Sequence, residues 1–275
     1  MMKTLRSELK RSFCNRYFLI SLFLSGALVT WYSVERIPFC VDKNNHFLPE
    51  GEIPCDFLEV SFTNWLGSHT MFLQQQIFFL ILPLLAVIPF AGSFYADLQG
   101  GYAKNVCVRT KKSHYLISKY IAVFISGGAA GAIPLVFSFL LCAAFLPSRK
   151  PEVSYLYTNI FSSDRWSSLL FTHPLLYVLV YCGVTFLFAG LTACMALGIT
   201  YFSSKSFLPM LFPFFVYLFE SMLCELLGFY SFSVRTLITA DAFGNTTSAF
   251  VIMAALFFAV SFFPYYFIGV KKDVL

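Results

Sequence analysis

Long stretches without a charged side chain constrain this chain more than any other feature of its sequence. Five stretches carry no Asp, Glu, Lys or Arg, namely 17–34, 71–96, 120–148, 166–204 and 242–270. A sixth apolar stretch, 206–219, ends at Glu220. Because about 20 apolar helical residues cross a hydrocarbon core roughly 30 Å thick, this pattern indicates a polytopic membrane protein.

The composition points to the same class. Hydrophobic residues make up 58% of the chain and charged residues only 12%, and the mean hydropathy is +0.73. These values lie outside the range of soluble proteins. The net charge of +5 is therefore interpreted as a signal of topology, and we expect no nucleic-acid partner. Since no polar stretch is long enough for a second domain, residues 1–275 are expected to form one membrane domain.

Basic residues fall in alternate gaps between the apolar stretches. With the N-terminus in the cytoplasm, the inner segments hold thirteen basic and three acidic residues, as the positive-inside rule requires. The sequence therefore predicts an all-α fold with six transmembrane helices and both termini cytoplasmic. The predicted spans are about 17–35, 73–95, 119–146, 173–202, 206–228 and 247–270.

The segment before the first span has the spacing of an amphipathic helix. Apolar residues recur every three or four positions over residues 2–15, and basic residues take the other faces. This pattern is typical of a helix that lies along the inner membrane surface, where its basic side can meet anionic lipid or a partner. The alternative is a positively charged segment without defined structure. The residues that define the two faces are Leu5, Arg6, Leu9, Lys10 and Phe13.

Two of the eight cysteines lie in a predicted loop outside the membrane. Cys40 and Cys55 are fifteen positions apart in the first predicted outer loop. In an oxidising exterior they could form a disulfide. The alternative is two free thiols in a loop.

The gap between the second and third spans has a distinctive order of residue types. It begins at an acidic residue, turns through two glycines, continues with two apolar residues one helical turn apart and ends in a basic run. On composition alone it is a solvated loop that follows the positive-inside rule. The residues concerned are Asp97, Gly100, Gly101, Tyr102, Lys104, Val106, Arg109, Lys112 and Lys119.

This loop, together with the N-terminal helix and the six-span layout, resembles the ABC-2 type permeases, the membrane subunits of ATP-driven exporters. The resemblance implies that a separate cytoplasmic ATP-binding cassette subunit binds the inner loop and the N-terminal helix. It also implies a second permease copy or paralogue. The absence of an organellar targeting signal and the short loops indicate a bacterial plasma membrane. An apolar, aromatic-rich interior with few fixed charges favours an amphipathic or hydrophobic substrate such as a peptide, antibiotic or lipid. The matching loop residues are Asp97, Gly100, Gly101, Lys104, Arg109, Thr110, Lys112, Tyr115 and Lys119.

The chain lacks the phosphate-binding motif G-x-x-x-x-G-K-[ST], in which backbone N–H groups and a lysine hold nucleotide phosphates. We therefore expect no enzymatic activity, cofactor or metal in this chain, and ATP and magnesium in the partner subunit. Two other classes stay open, a secondary transporter or channel subunit and an intramembrane enzyme.

Two carboxylates interrupt the fifth predicted span. Glu220 and Glu225 fit near its outer end, and ionisable residues at membrane depth are costly and often functional. They are candidates for an outer gate or a re-entrant element. The alternative is a structural role at the end of the helix.

Overall fold

The computed structural model describes residues 2–46, 59–68, 72–151, 166–203, 205–240 and 247–271. Within these ranges the protein is built from α-helices and a short 3₁₀ turn, and no strand occurs. The helices are α1 (Met2–Phe13), α2 (Arg16–His46), α3 (Leu73–Val87), α4 (Ser93–Gln99), α5 (Tyr102–Arg109), α6 (Lys112–Phe145), α7 (Ser167–Thr172), α8 (Pro174–Ile199), α9 (Phe207–Leu226), α10 (Val234–Ile238) and α11 (Thr247–Lys271).

Five of the described helices, α2, α6, α8, α9 and α11, are long and apolar enough to cross a membrane by length and composition. This supports the prediction of an all-helical membrane protein. Helix α3 is apolar but has only 15 residues, which at 1.5 Å per residue gives about 22 Å. The second predicted span, 73–95, is therefore not one continuous spanning helix.

The interruption lies between α3 and α4, where the sequence predicted a single span over 73–95. Residues 88–92 form turns. Pro89 has no backbone N–H to continue the helical ladder, and its ring disfavours a regular helix. The side chain of Asn15, between α1 and α2, donates a hydrogen bond of 3.2 Å to the carbonyl oxygen of Pro89. The link between the first two helices is thus fixed to the interruption.

Contacts between elements define two ends of the helical bundle. At one end, the first turns of α6 contact both α1 and α11: Ser118 Oγ lies 3.4 Å from Thr4 Oγ1, and Lys112 Nζ donates to the Val270 carbonyl at 3.2 Å. We call this the basic end. At the far end, residues 59–68 meet the residues that follow α6, with Ser61 Oγ 3.0 Å from Ser148 Oγ.

Helix α8 lies in the core, and it packs closely against α6 through glycines. A Cβ atom added to Gly190 in α8 would lie 2.6 Å from the carbonyl oxygen of Phe124 in α6. A Cβ atom added to Gly128 in α6 would lie 2.6 Å from the carbonyl oxygen of Phe186 in α8. The two contacts are reciprocal, so each helix offers a glycine where the other presents backbone and a phenyl ring. Small residues allow this approach between helices in a membrane.

Replacing Gly190 with alanine should destabilise the protein, because the new methyl group meets backbone atoms that cannot move aside. We expect a loss of about 1–3 kcal/mol in the free energy of unfolding, as overpacking usually costs. Gly183, on the same helix, has no atom within 4 Å of an added Cβ. Gly183→Ala is therefore the matched control and should be neutral or slightly stabilising. Thermal unfolding of the two variants in detergent measures the difference, and equal midpoints would contradict the close-packing argument.

Candidate functional site

Four charged side chains meet inside the basic end of the bundle. Glu8 and Arg11 lie on α1, Asp97 on α4 and Lys119 on α6. Glu8, Asp97 and Lys119 are buried, and Arg11 is partly buried. We call these four residues the charge cluster. Because they come from three helices far apart in sequence, the cluster joins the N-terminal helix and the inter-span connection to a spanning helix.

Each cation in the charge cluster contacts both carboxylates. Lys119 Nζ lies 2.6 Å from Asp97 Oδ2 and 3.2 Å from Glu8 Oε2. Arg11 Nη2 lies 2.7 Å from Asp97 Oδ1, and Arg11 Nη1 lies 3.0 Å from Glu8 Oε1. The two positive and two negative charges therefore balance within one closed set of ion pairs.

Aromatic side chains surround the charge cluster. Tyr115 donates its hydroxyl to Asp97 Oδ2 at 3.1 Å, and Tyr102 donates its hydroxyl to Glu8 Oε1 at 3.2 Å. Lys119 Nζ lies 4.1 Å from the ring centre of Phe90, and Arg11 Cζ lies 4.2 Å from that of Tyr102. The carboxylates gain further donors, while the cations face electron-rich ring surfaces. Tyr102 also brings α5 into contact with the cluster.

The protonation states at the solvent side of the charge cluster follow from these contacts. Burial by itself lowers the pKa of Arg11, but the hydrogen bond and the charge of Asp97 outweigh burial and raise that pKa overall. Burial, followed by the negative charge of Glu8, raises the pKa of Tyr102. The guanidinium therefore stays charged and the phenol stays protonated at neutral pH. Tyr102 remains a hydrogen-bond donor to Glu8.

Helix α1 turns a polar face toward α6. Its buried residues are Glu8 and Ser12, while Leu9 packs at the edge of the hydrophobic core. Leu5 is half-buried, and Phe13 is exposed and stacks edge to face with Phe18. The basic residues Arg6 and Lys10 are exposed. The charge cluster thus fixes α1 to the bundle and leaves a basic face free of the core.

A sharp turn separates α4 from α5. Gly101 adopts a left-handed conformation with φ of 71°, which favours glycine because it lacks a Cβ atom. Gly100 precedes it, and a Cβ atom there would lie 3.0 Å from the carbonyl oxygen of Ala96. The two glycines therefore let α5 begin immediately after α4, beside the charge cluster.

The residues predicted for the inner loop divide into inward and outward sets. Asp97 and Lys119 belong to the charge cluster, and Tyr102 and Val106 pack against the hydrophobic core. Lys112 contacts the carbonyl of Val270 at the end of α11. The outward set consists of exposed side chains on α5: Lys104, Asn105, Val108 and Arg109.

The apolar residue that projects from α5 is Val108, which is 79% exposed. It lies between the basic side chains of Lys104 and Arg109 on a helix of eight residues. Tyr102 and Val106, the two apolar residues of this loop one helical turn apart, are half-buried and pack against the hydrophobic core. The exposed side of α5 thus presents one aliphatic side chain and two cations. We call Lys104, Val108 and Arg109 the α5 surface.

Glu220 has a structural partner at the far end. One of its carboxylate oxygens accepts a hydrogen bond of 3.1 Å from the backbone N–H of Val234, the first residue of α10. A carboxylate at a helix N-terminus satisfies a free N–H group. Glu225 is exposed near the end of α9. In the described residues, Glu220 ties α9 to α10.

Only one cysteine of the predicted pair lies within the described residues. Cys40 is buried on α2, with its Sγ atom 3.5 Å from Asn64 Oδ1. Cys55 lies outside the described residues, so the pairing of the two stays a prediction. In the described part of the chain, no group of three or more His, Cys, Asp or Glu side chains is arranged to hold a metal ion.

Sequence reasoning missed three members of this site. The sequence indicated Arg11 as part of the basic side of a surface helix and Phe90 as part of a membrane span, and it gave Glu8 no role beyond the charge count. One signal was available: Glu8 is the only acidic residue among the first 34 and lies three positions before Arg11. Side chains three positions apart are neighbours on a helix, so Glu8 and Arg11 could have been predicted to pair.

Comparison with known proteins gives no relative for this arrangement. No family model, no curated protein and no solved structure matches the chain.

Removing the positive charge of Lys119 should strongly destabilise the bundle. Lys119→Met leaves two buried carboxylates with one cation, and breaking a buried ion pair from one side costs about 3–5 kcal/mol. Lys104→Met, an exposed lysine at the same end, is the matched control. The double variant Glu8→Gln/Lys119→Met removes one charge of each sign and should lose less than the single variant. Thermal unfolding in detergent checks the order, and equal loss in Lys119→Met and Lys104→Met would refute the buried pairing.

Proposed function

We propose that this chain is the membrane subunit of an ATP-binding cassette exporter similar to the ABC-2 type permeases. In this proposal a separate cytoplasmic subunit hydrolyses ATP with magnesium and binds the basic end. The membrane subunits work as a dimer of two copies or of paralogues. The cargo is amphipathic or hydrophobic, such as a peptide, an antibiotic or a lipid.

The observation that carries the proposal is the charge cluster. A subunit that hydrolyses ATP outside the membrane can move spanning helices only through a stiff contact. Helix α5 lies one glycine turn from Asp97, and Asp97 is paired to Lys119 on the spanning helix α6. Glu8 and Arg11 connect α1 to the same point. Displacement of α5 or α1 would therefore reach α6 through buried ion pairs.

The α5 surface supports the same proposal. Lys104 and Arg109 are exposed on both sides of Val108, so a partner with an apolar pocket and an acidic rim would fit it. Charges at the rim of an interface guide association and set the register. Two further basic residues, Arg6 and Lys10 on α1, are also exposed.

The proposal places the basic end in the cytoplasm of a bacterial cell and the far end outside the plasma membrane. The support is the excess of Lys and Arg in the segments assigned to that side. The apolar outer faces of α9 and α11 suit direct contact with lipid. A cargo with a large apolar part would be compatible with such a bundle.

Cysteine labelling tests this orientation. Asn45 and Asn105 are both exposed, the first near the end of α2 and the second on α5. We expect a membrane-impermeant maleimide, applied to intact cells, to label Asn45→Cys and to leave Asn105→Cys unlabelled until the membrane is opened. Labelling of Asn105→Cys in intact cells would reverse the assigned orientation.

Charge reversal on the α5 surface tests the partner. Lys104→Glu/Arg109→Glu should lower the amount of ATP-binding cassette subunit captured with the chain from native membranes by at least about tenfold. Placing like charges opposite each other at an interface costs several kcal/mol, and each 1.4 kcal/mol is tenfold in affinity. Lys205→Glu, an exposed basic residue between α8 and α9, is the control and should retain the partner.

Two outcomes would reject the proposal. The first is that the wild-type chain captures no ATP-binding cassette subunit. The second is that the Lys104→Glu/Arg109→Glu variant captures as much as the Lys205→Glu variant. Either result would remove the argument that the α5 surface receives an ATPase.

A further inference from the structure

A groove runs between α6 and α11 at the surface of the bundle and has a volume of about 250 Å³. Leu191 of α8 is buried at its bottom, whereas Phe258 of α11 is 45% exposed at its rim. Tyr120 contributes its ring to the lining, and its hydroxyl is hydrogen-bonded to Ser261 Oγ at 2.7 Å. We call this cavity the lateral groove. Its other lining residues are Ile121, Phe124, Leu187 and Ala254.

The lateral groove lies within the membrane-spanning part of the protein. Helices α6, α8 and α11 are three of the five described helices that are long and apolar enough to cross a membrane. A cavity with an apolar lining stays dry, and one of roughly 150 Å³ is large enough to bind benzene. The lateral groove is larger than that, so it has room for part of a hydrocarbon chain.

A row of aromatic rings on α11 leads from the lateral groove to the basic end. Phe258, Phe262 and Tyr266 recur at every fourth position, and neighbouring ring centres are 5.3 Å apart with nearly parallel planes. The next position in this row is Val270, whose carbonyl accepts the hydrogen bond from Lys112 Nζ of α6. The seam between α6 and α11 therefore continues from the groove to Lys112.

Lysines lie where this seam reaches the basic end. Lys111 immediately precedes α6, Lys112 begins it, and Lys271 is the last residue of α11. Lys111 and Lys271 are exposed. The two carboxylates of the charge cluster are buried and paired within it, and Asp273 lies outside the described residues. The described end of the seam thus presents positive charge beside the membrane.

The distance between these lysines and the lateral groove matches the depth of one lipid leaflet. Phe124 follows Lys112 by twelve residues, and Phe258 precedes Val270 by twelve. Twelve helical residues rise about 18 Å, and half of the hydrocarbon core is about 15 Å thick. A lipid with its head group at the lysines therefore places the lower part of an acyl chain in the groove.

We propose that the seam between α6 and α11 binds one anionic phospholipid. Lys111, Lys112 and Lys271 hold its phosphate-bearing head group, and one acyl chain follows the aromatic row and ends in the lateral groove. Basic residues between spanning helices at the membrane surface attract anionic head groups. The lysines supply selectivity for negative charge, and the groove fixes the position of the chain. The proposal needs neither the ATPase nor a cargo.

A photoreactive phosphatidylglycerol with a diazirine near the end of one acyl chain tests the location. The full chain is irradiated in phosphatidylcholine liposomes that contain a small fraction of this probe, and peptide mass gives the modified residues. We expect modification around Phe124 and Phe258 to exceed that around Phe219 by at least about tenfold, equivalent to about 1.4 kcal/mol. Phe219 is exposed on α9, twelve residues from the start of that helix, so its depth is matched. Unlabelled phosphatidylglycerol should compete, and additional phosphatidylcholine should not.

Two variants separate the tail contact from the head-group contact. Ala254→Phe fills the lateral groove, and Ala255→Phe is its control because Ala255 is exposed and outside the lining. Lys111→Gln/Lys271→Gln removes two charges from the seam. Its control is Lys104→Gln/Lys205→Gln, which removes two exposed charges elsewhere. Ala254→Phe and the seam lysine variant should each lower the modification of α11 by at least about tenfold, and both controls should retain it.

Three results would overturn the proposal. Equal modification around Phe219 and Phe258, or equal competition by the two lipids, would show that the groove meets only the general lipid layer. Full modification in the seam lysine variant, which changes only exposed side chains, would reject the head-group site even if Ala254→Phe failed to fold. An unmodified groove in a dimeric sample would assign it to a second copy of the chain. Because the ATPase takes no part, failure of the proposed function leaves each result interpretable.

Discussion

The structure depends on charged side chains that are buried away from water and paired with one another. Lys119 is fully buried, and Glu8 and Asp97 both lie within hydrogen-bonding distance of its Nζ atom. Taking an ion out of water costs several kcal/mol, which a complete set of partners can offset. The pairing also requires that α1, α4 and α6 keep fixed positions. Leaving any residue of the charge cluster unpaired would cost free energy, and this cost keeps the helices at the basic end in place.

The far end uses the same principle in a smaller form. Glu59 is held by Lys43 and Arg36, while the rest of residues 59–68 is held by neutral hydrogen bonds and by the burial of Phe62, Trp65 and Leu66 in the hydrophobic core. At the basic end, ion pairs therefore join the three helices α1, α4 and α6. At the far end, ion pairs join α2 to residues 59–68.

The sequence predicted the apolar helices well, because a long stretch without charged residues is explained by a helix that crosses a membrane. It also selected Asp97 and Lys119, since both interrupt or border apolar stretches. It did not pair them with Glu8, because that contact joins residues 111 positions apart and depends on how α1 docks. The buried segment 59–68 was missed for another reason: Phe62, Asn64 and Trp65 follow no helical or strand period, so only neighbouring helices determine its burial. The interruption at Pro89 was missed because proline leaves the hydropathy of a charge-free stretch almost unchanged.

Helix α3 is too short to match the hydrocarbon thickness, yet most of its residues are buried among other helices. A spanning helix exposed to lipid adapts to a thicker or thinner bilayer by tilting, and the exposed faces of α9 and α11 are subject to this effect. Helix α3 has little lipid contact, so its length is set by its protein neighbours. A change of lipid chain length would therefore act on the periphery of the bundle first. A change in membrane thickness would therefore have little effect on the connection from α3 through Pro89 to Asp97.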